Sequence, residues 1–165
     1  MKEKAKTTAI VPGSFDPITY GHLDIVRRAS EMYDKVYVAV MINREKSYMF
    51  NIEQRLSIAR AAVGDDINIE VISSEGMLWE LARDLSADAI VKGYRNEKDL
   101  EYERVMAKFN EEHYPAAKTV LLKADESLTE LSSTVVRGEL TAGRDISRFL
   151  PAAAEKEINN IIKKF

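Results

Sequence analysis

Five short, Val- and Ile-rich runs, each followed by a segment of helical periodicity, constrain this chain more than any other feature. They lie at residues 8–11, 36–42, 67–72, 89–92 and 119–122. Near-continuous apolar runs of this length suit strands covered on both faces, as in a parallel sheet. The segments between them read as helices. Residues 22–33 carry Leu23, Val26, Ala29 and Met32 at steps of three. Asn51 and Gln54 form a capping-box pair ahead of a stripe of Ile52, Leu56, Ala59 and Val63. Leu78, Leu81, Ala82 and Leu85 mark a third helix, and Tyr102, Val105, Met106 and Phe109 a fourth that is charged on its other side. Beyond Pro151, Ile158, Ile161, Ile162 and Phe165 predict a terminal helix at about 151–164. No linker or internal repeat divides the chain. The expectation is one domain, residues 1–165, with a Rossmann-like, doubly wound α/β fold: five parallel strands with helices on both faces. Such sheets bind ligands at the carboxyl ends of their strands, at a topological switch point.

Composition narrows the function. The formal net charge of −3 argues against a general nucleic-acid binder, which needs a basic face. There is no cysteine, so disulfides, thiolate catalysis and cysteine-held metals are excluded. The charged start, residues 1–8, lacks the apolar core of a signal peptide. No apolar run approaches the roughly 20 residues that span a bilayer. A cytoplasmic protein without membrane association is expected.

The residues following the strands carry the chemistry. After the first come Pro12, Gly13, Ser14, Phe15, Asp16 and Pro17, then Thr19, Gly21 and His22. Gly13 permits close backbone approach, and Ser14 offers a hydroxyl. His22 falls in the first turn of a helix, where backbone N–H groups and the dipole favour a phosphate. An imidazole there can donate to charge growing on a phosphoryl oxygen, although the same residues would also make an ordinary turn with a surface histidine. Neither a G-x-G-x-x-G fingerprint nor a Walker loop is present. After the second strand, Lys46 is either a mobile phosphate contact or a solvated loop lysine. After the fourth, Lys92, Gly93, Tyr94 and Arg95 place two cations about a glycine, as an anion clamp would. Glu103 on the next helix reads by itself as a solvated acid. After the fifth, Ser132, Ser133 and Thr134 are helix-cap candidates whose hydroxyls and N–H groups can also hold a triphosphate, with Arg137 one turn on.

These motifs together resemble the nucleotidyltransferase superfamily with a (H/T)-x-G-H signature, here Thr19-x-Gly21-His22. The chain is most similar to the bacterial phosphopantetheine adenylyltransferase family. Met49-Phe50, Asp99-x-Glu101-Tyr102-Glu103 and the stretch from Asp145 to Pro151 extend the likeness from about residue 10 to the C-terminus. The resemblance implies transfer of AMP from ATP to 4′-phosphopantetheine, with Mg²⁺ as cofactor, a homohexameric assembly and coenzyme A as a feedback ligand. It implies that His22, Lys46 and Arg95 act on the reacting phosphates. Ser14, Phe15, Gly93, Tyr94, Glu103 and the stretch Leu128, Thr129, Glu130, Leu131, Ser132, Ser133 and Thr134 would border ATP. Ser14, Lys46, Leu78 and Lys92 would meet the acceptor. In this chain Lys92 replaces the family's usual arginine, and residues 128–131 replace an aromatic-containing stretch, Glu130 adding a negative charge. A sibling transferase acting on nicotinamide mononucleotide or glycerol 3-phosphate, and a paralogue that binds nucleotide or coenzyme A without turnover, are the alternatives.

Overall fold

The computed structural model, which describes residues 6–163, runs through β1 (Thr8–Gly13), α1 (Tyr20–Met32), β2 (Lys35–Ile42), α2 (Ile52–Val63), β3 (Ile69–Glu75), α3 (Leu78–Asp84) and β4 (Ala89–Tyr94). It continues through α4 (Glu97–His113), β5 (Lys118–Lys123), a 3-10 turn (Glu126–Leu128), α5 (Ser133–Thr141) and α6 (Ala152–Ile162). The five strands form one parallel sheet in the order β3-β2-β1-β4-β5. This is the doubly wound α/β architecture expected from the alternation of strand and helix. The chain reverses direction across the sheet between β1 and β4, so the switch point lies at the carboxyl ends of those two strands.

Strand alternation divides the core. Ala9, Val11, Val36, Val38, Val40, Ala89 and Val91 point to the larger cluster, where Leu23, Val26 and Ala29 of α1, Leu56 and Ala59 of α2 and Ile158 of α6 meet them. Ile10, Ala39 and Ile90 point to the other face, against Ala82 of α3, Ala87 and Ala117. Buried apolar side chains on both faces explain why the strands read as continuous apolar runs. The Asn51–Gln54 capping box is formed: each residue's side chain accepts from the other's backbone N–H, at 2.9 and 3.0 Å.

Several boundaries and faces differ from the sequence expectation. Ile67 is exposed before β3 rather than in it, because Asp66 accepts from the N–H groups of Asn68 and Ile69 and turns the chain there. Met32 ends α1 exposed. On α4 the expected apolar stripe faces outward at Tyr102 and Val105, which are 64% and 67% exposed, while Leu100 and Asn110 are buried. The inner face includes Glu103, whose carboxylate meets Lys92 of β4. Pro151 caps α6 rather than joining it. Phe165, expected on the terminal stripe, lies outside the described residues. Among the described residues no helix is long and apolar enough to cross a membrane.

Candidate active site

A cavity of about 660 Å³ opens at the switch point, a size suited to a nucleotide-scale ligand. Its floor is Val11, Pro12 and Gly13 from the end of β1 and Val91 and Gly93 from β4. Thr19, Gly21, His22 and Ile25 of the α1 entry form one wall, and Lys92 of β4 with Arg95, Lys98, Asp99, Tyr102 and Glu103 form the opposite one. Thr129, Leu131, Ser132 and Ser133 close the end.

His22 is built into its wall. It is the third residue of α1, and its Nδ1 accepts the backbone N–H of Thr19 at 3.0 Å. With Nδ1 accepting, the neutral ring carries its proton on Nε2. Phe15 packs edge-on against the ring at 5.1 Å. Burial, and secondarily the positive charge of Arg95, lower the imidazole pKa from 6.5 to about 4. At neutral pH His22 is therefore an uncharged Nε2–H donor in the cavity wall, not the surface histidine of an ordinary turn. Gly13 protects this packing: a Cβ there would lie 3.0 Å from the Phe15 ring. Phe15 itself adopts φ +47°, an unusual conformation for a residue with a side chain.

The cations of the opposite wall are partly neutralised by α4. Arg95 Nε meets Asp99 at 3.4 Å, and the Arg95 N–H donates to the same oxygen at 3.2 Å. Lys92 Nζ meets Glu103 Oε1 at 3.1 Å, while Glu103 Oε2 is buried without a hydrogen-bond partner. Glu103 is thus not the solvated helix acid that it resembles in isolation. Gly93 and Tyr94 belong to β4 itself rather than to the loop after it. The bare face of Gly93 is filled from within, since a Cβ there would meet Ile25 of α1 at 3.0 Å.

Three chain segments are tied together beneath the cavity. The buried Asp16 carboxylate accepts the N–H groups of Met49 and Phe50 at 2.9 and 3.0 Å. Arg137 of α5 donates to the Asp16 carbonyl at 2.9 Å and to the Thr134 hydroxyl at 3.2 Å. The Ser133 hydroxyl donates to the Pro17 carbonyl at 2.7 Å, and Ser132 caps α5 by accepting the Val135 N–H. The hydroxyl run therefore caps a helix and docks it on the first loop. Arg137, one turn on, is a strut between these segments. The tail also serves the site, because the Phe149 carbonyl accepts the Tyr20 N–H at the start of α1.

Of the residues singled out from sequence, Phe15, His22, Lys92, Gly93, Arg95, Glu103, Thr129, Leu131, Ser132 and Ser133 line the cavity. Ser14 lies between two lining residues. Lys46 is on an exposed loop outside the lining, and Leu78 packs on the opposite-face cluster. Tyr94, Leu128, Glu130 and Thr134 lie beside the lining and not in it. Sequence reasoning missed Lys98, whose position in the first turn of a helix that follows two cations was the available signal. Among the described residues no group of three His, Asp or Glu side chains is placed to hold a metal ion.

Comparison with known proteins agrees with this arrangement. A model of the cytidylyltransferase-like family matches residues 10–139. A phosphopantetheine adenylyltransferase of Caldanaerobacter subterraneus subsp. tengcongensis is 38% identical over 156 residues, covering 94% of this chain and 98% of that protein. One from Limosilactobacillus reuteri is 39% identical, covering 94% and 88%. One from Bordetella avium is 40% identical over 149 residues, covering 90% and 89%.

Proposed function

The chain belongs to the phosphopantetheine adenylyltransferase family, within the wider cytidylyltransferase-like family, and we propose how its cavity carries out that family's reaction. The enzyme transfers the adenylyl group of ATP to 4′-phosphopantetheine, reversibly, giving dephospho-coenzyme A and pyrophosphate in coenzyme A biosynthesis. An oxygen of the acceptor phosphate forms a bond to the α-phosphorus. The bond from that phosphorus to the oxygen bridging to the β-phosphate breaks, and pyrophosphate leaves with the electron pair. The acceptor phosphate is ionised near neutral pH, so no general base is needed, and catalysis reduces to positioning and charge stabilisation.

The observation that carries this reading is the neutral Nε2–H of His22, held between the ends of β1 and β4 and facing a wall with Lys92 and Arg95. It suits donation to the α-phosphoryl oxygens as their charge grows. Arg95 is assigned to the nucleotide phosphates, and Lys92 to the acceptor phosphate in competition with Glu103. Ser14 and Lys46, from the first and second loops, are assigned to the acceptor and reacting phosphates. Leu78 is assigned to the pantetheine arm. Phe15, Gly93, Tyr94, Glu103 and the segment from Leu128 to Thr134 are assigned to ATP. Mg²⁺ is assigned to the triphosphate, where it would neutralise charge on the leaving group. Among the described residues there is no carboxylate cage, which fits an ion brought and held mainly by substrate phosphates.

Self-association into a homohexamer is assigned from the family, and the exposed Val105 of α4 is the side chain offered to such a contact. Coenzyme A, which shares the product's adenylate and pantetheine parts, is assigned as a feedback ligand of the same cavity, and the cytoplasm as the compartment. The deciding experiment mixes protein, ATP, Mg²⁺ and 4′-phosphopantetheine and follows pyrophosphate. Release that depends on this acceptor, and not on nicotinamide mononucleotide or glycerol 3-phosphate, is expected. Binding of ATP and acceptor without release would refute the assignment.

A further inference from the structure

Arg55 is a cation enclosed by the fold. It lies on α2 and is 2% exposed, the largest of the fully buried side chains among the described residues. Its Nη1 donates to the carbonyls of Ser14 and Met41 at 2.8 and 3.1 Å. The guanidinium lies 3.8 Å over the Tyr48 ring, and its Nε is buried without a partner. Among the described residues no carboxylate lies within ion-pair distance of it; the buried Asp16 instead accepts from Met49 and Phe50 and faces Arg137 at 4.0 Å. A buried charge without a counter-charge is unfavourable, and carbonyl dipoles and a ring face offset this only in part.

The position of this charge suggests what completes it. Ser14 stands between Gly13 and Phe15, both of which line the cavity. Arg55 therefore sits one peptide group behind the cavity floor. A trans peptide directs its N–H opposite to its C=O. Drawing the Ser14 carbonyl towards Arg55 thus turns the Phe15 N–H away from it and supports Phe15 in its φ +47° conformation. The same guanidinium binds the end of β2 at Met41 and the ring of Tyr48, whose hydroxyl accepts the Asn43 N–H at 3.0 Å. It thereby joins the loop that carries Ser14 to the loop that carries Lys46.

We propose that Arg55 is a positioning residue for adenylyl transfer: it sets the two anion-binding loops against each other, and its charge is balanced by the phosphate groups bound in the cavity. The reaction named here rests on the function proposed above; the claim about the charge does not.

The test compares Arg55→Gln, which keeps amide donors but loses the charge, with Arg55→Lys, which keeps the charge but loses the fork. Pyrophosphate binding is measured by calorimetry, and turnover by acceptor-dependent pyrophosphate release. Arg55→Gln is expected to weaken pyrophosphate binding about 10-fold and to lower kcat by about 10-fold or more, as displaced reacting groups do. Arg55→Lys should bind pyrophosphate within about threefold of wild type, since a point charge still serves a phosphate. Folded Arg55→Gln with wild-type binding and turnover would overturn the proposal, and so would equal losses of pyrophosphate binding in both variants. Wild-type protein that binds pyrophosphate but does not turn over 4′-phosphopantetheine would refute the acceptor assignment alone. The binding comparison would still decide the role of Arg55.

Discussion

Replacing His22 by alanine removes one hydrogen-bond donor and one acceptor without touching the cations of the site. The acceptor, Nδ1, holds the Thr19 N–H at 3.0 Å; the donor, Nε2–H, faces the cavity. With a pKa of about 4, fewer than about one molecule in 10³ carries an imidazolium at pH 7. The lost interaction is therefore that of a neutral, half-buried donor in the cavity wall. Such a donor contributes about 2.7–4 kcal/mol to a transition state, so kcat is expected to fall by about 10²–10³ while the KM for ATP changes only a few-fold. Pyrophosphate release at saturating substrates measures this. Wild-type kcat should not depend on His22 ionisation between pH 6 and 8. The group also bears on stability. The unfolded chain takes up its proton near 6.5 and the folded chain only near 4, so the contribution of His22 is complete above pH 6.5 and is lost as pH falls through that window. Its size is at most about 3 kcal/mol, reduced by whatever solvent reaches the open cavity. Turnover of His22→Ala within threefold of wild type would refute the reasoning. So would a wild-type rate that falls as pH rises through 6.5, because that would require the cation.

Lys92→Arg is expected to leave turnover intact and to lower the acceptor KM, because a planar fork can meet Glu103 and a phosphate together; steady-state kinetics against 4′-phosphopantetheine would show it. Asp16→Ala leaves the Met49 and Phe50 N–H groups without their acceptor and should lower stability by about 2–4 kcal/mol in urea titration. Gly93→Ala forces a Cβ to within 3.0 Å of Ile25 and should destabilise by about 1–3 kcal/mol. Ile25→Val in the same chain should restore part of that loss on the same titration.

What the sequence revealed of the fold follows from periodicity. A parallel strand buried on both faces must be apolar nearly throughout, and Val36 to Val40 show why that reads clearly: successive side chains enter different clusters, and both clusters are apolar. Capping was legible for the same local reason, since Asn51 and Gln54 satisfy each other's backbone within one turn. Periodicity failed on α4 because it scores apolar residues as inward. There the inward positions belong to Leu100, Glu103 and Asn110, while Val105 is exposed and Tyr102 is exposed along the cavity wall. Glu103 turns inward because Lys92 on β4 offers it a charge partner, and a long-range pairing of that kind leaves no mark in local spacing. Asp16 and Arg55 were invisible for a related reason. Charged residues are expected outside, and only the assembled loops show that these two are enclosed. At Gly93 the sequence drew attention to the right residue for an incomplete reason, since the space it leaves is occupied by Ile25 of the helix that carries His22.

That last contact links the site to the core. The ring of His22 is oriented from the side by Phe15, from below by Thr19, and through α1 by the packing of Ile25 on Gly93. Arg95 and Lys92 are oriented by carboxylates that belong to one helix, α4. The two cavity walls are thus positioned by different parts of the molecule, one by apolar packing and backbone hydrogen bonds, the other by ion pairs. Packing does not respond to an incoming anion, whereas an ion pair exchanges one oxygen ligand for another. A triphosphate arriving between these walls would meet a rigid neutral donor on one side and cations able to transfer from Asp99 and Glu103 to phosphate on the other. Phosphoryl transfer without acid–base chemistry has that requirement: geometry already set at the reacting phosphorus, and positive charge free to follow the phosphate oxygens.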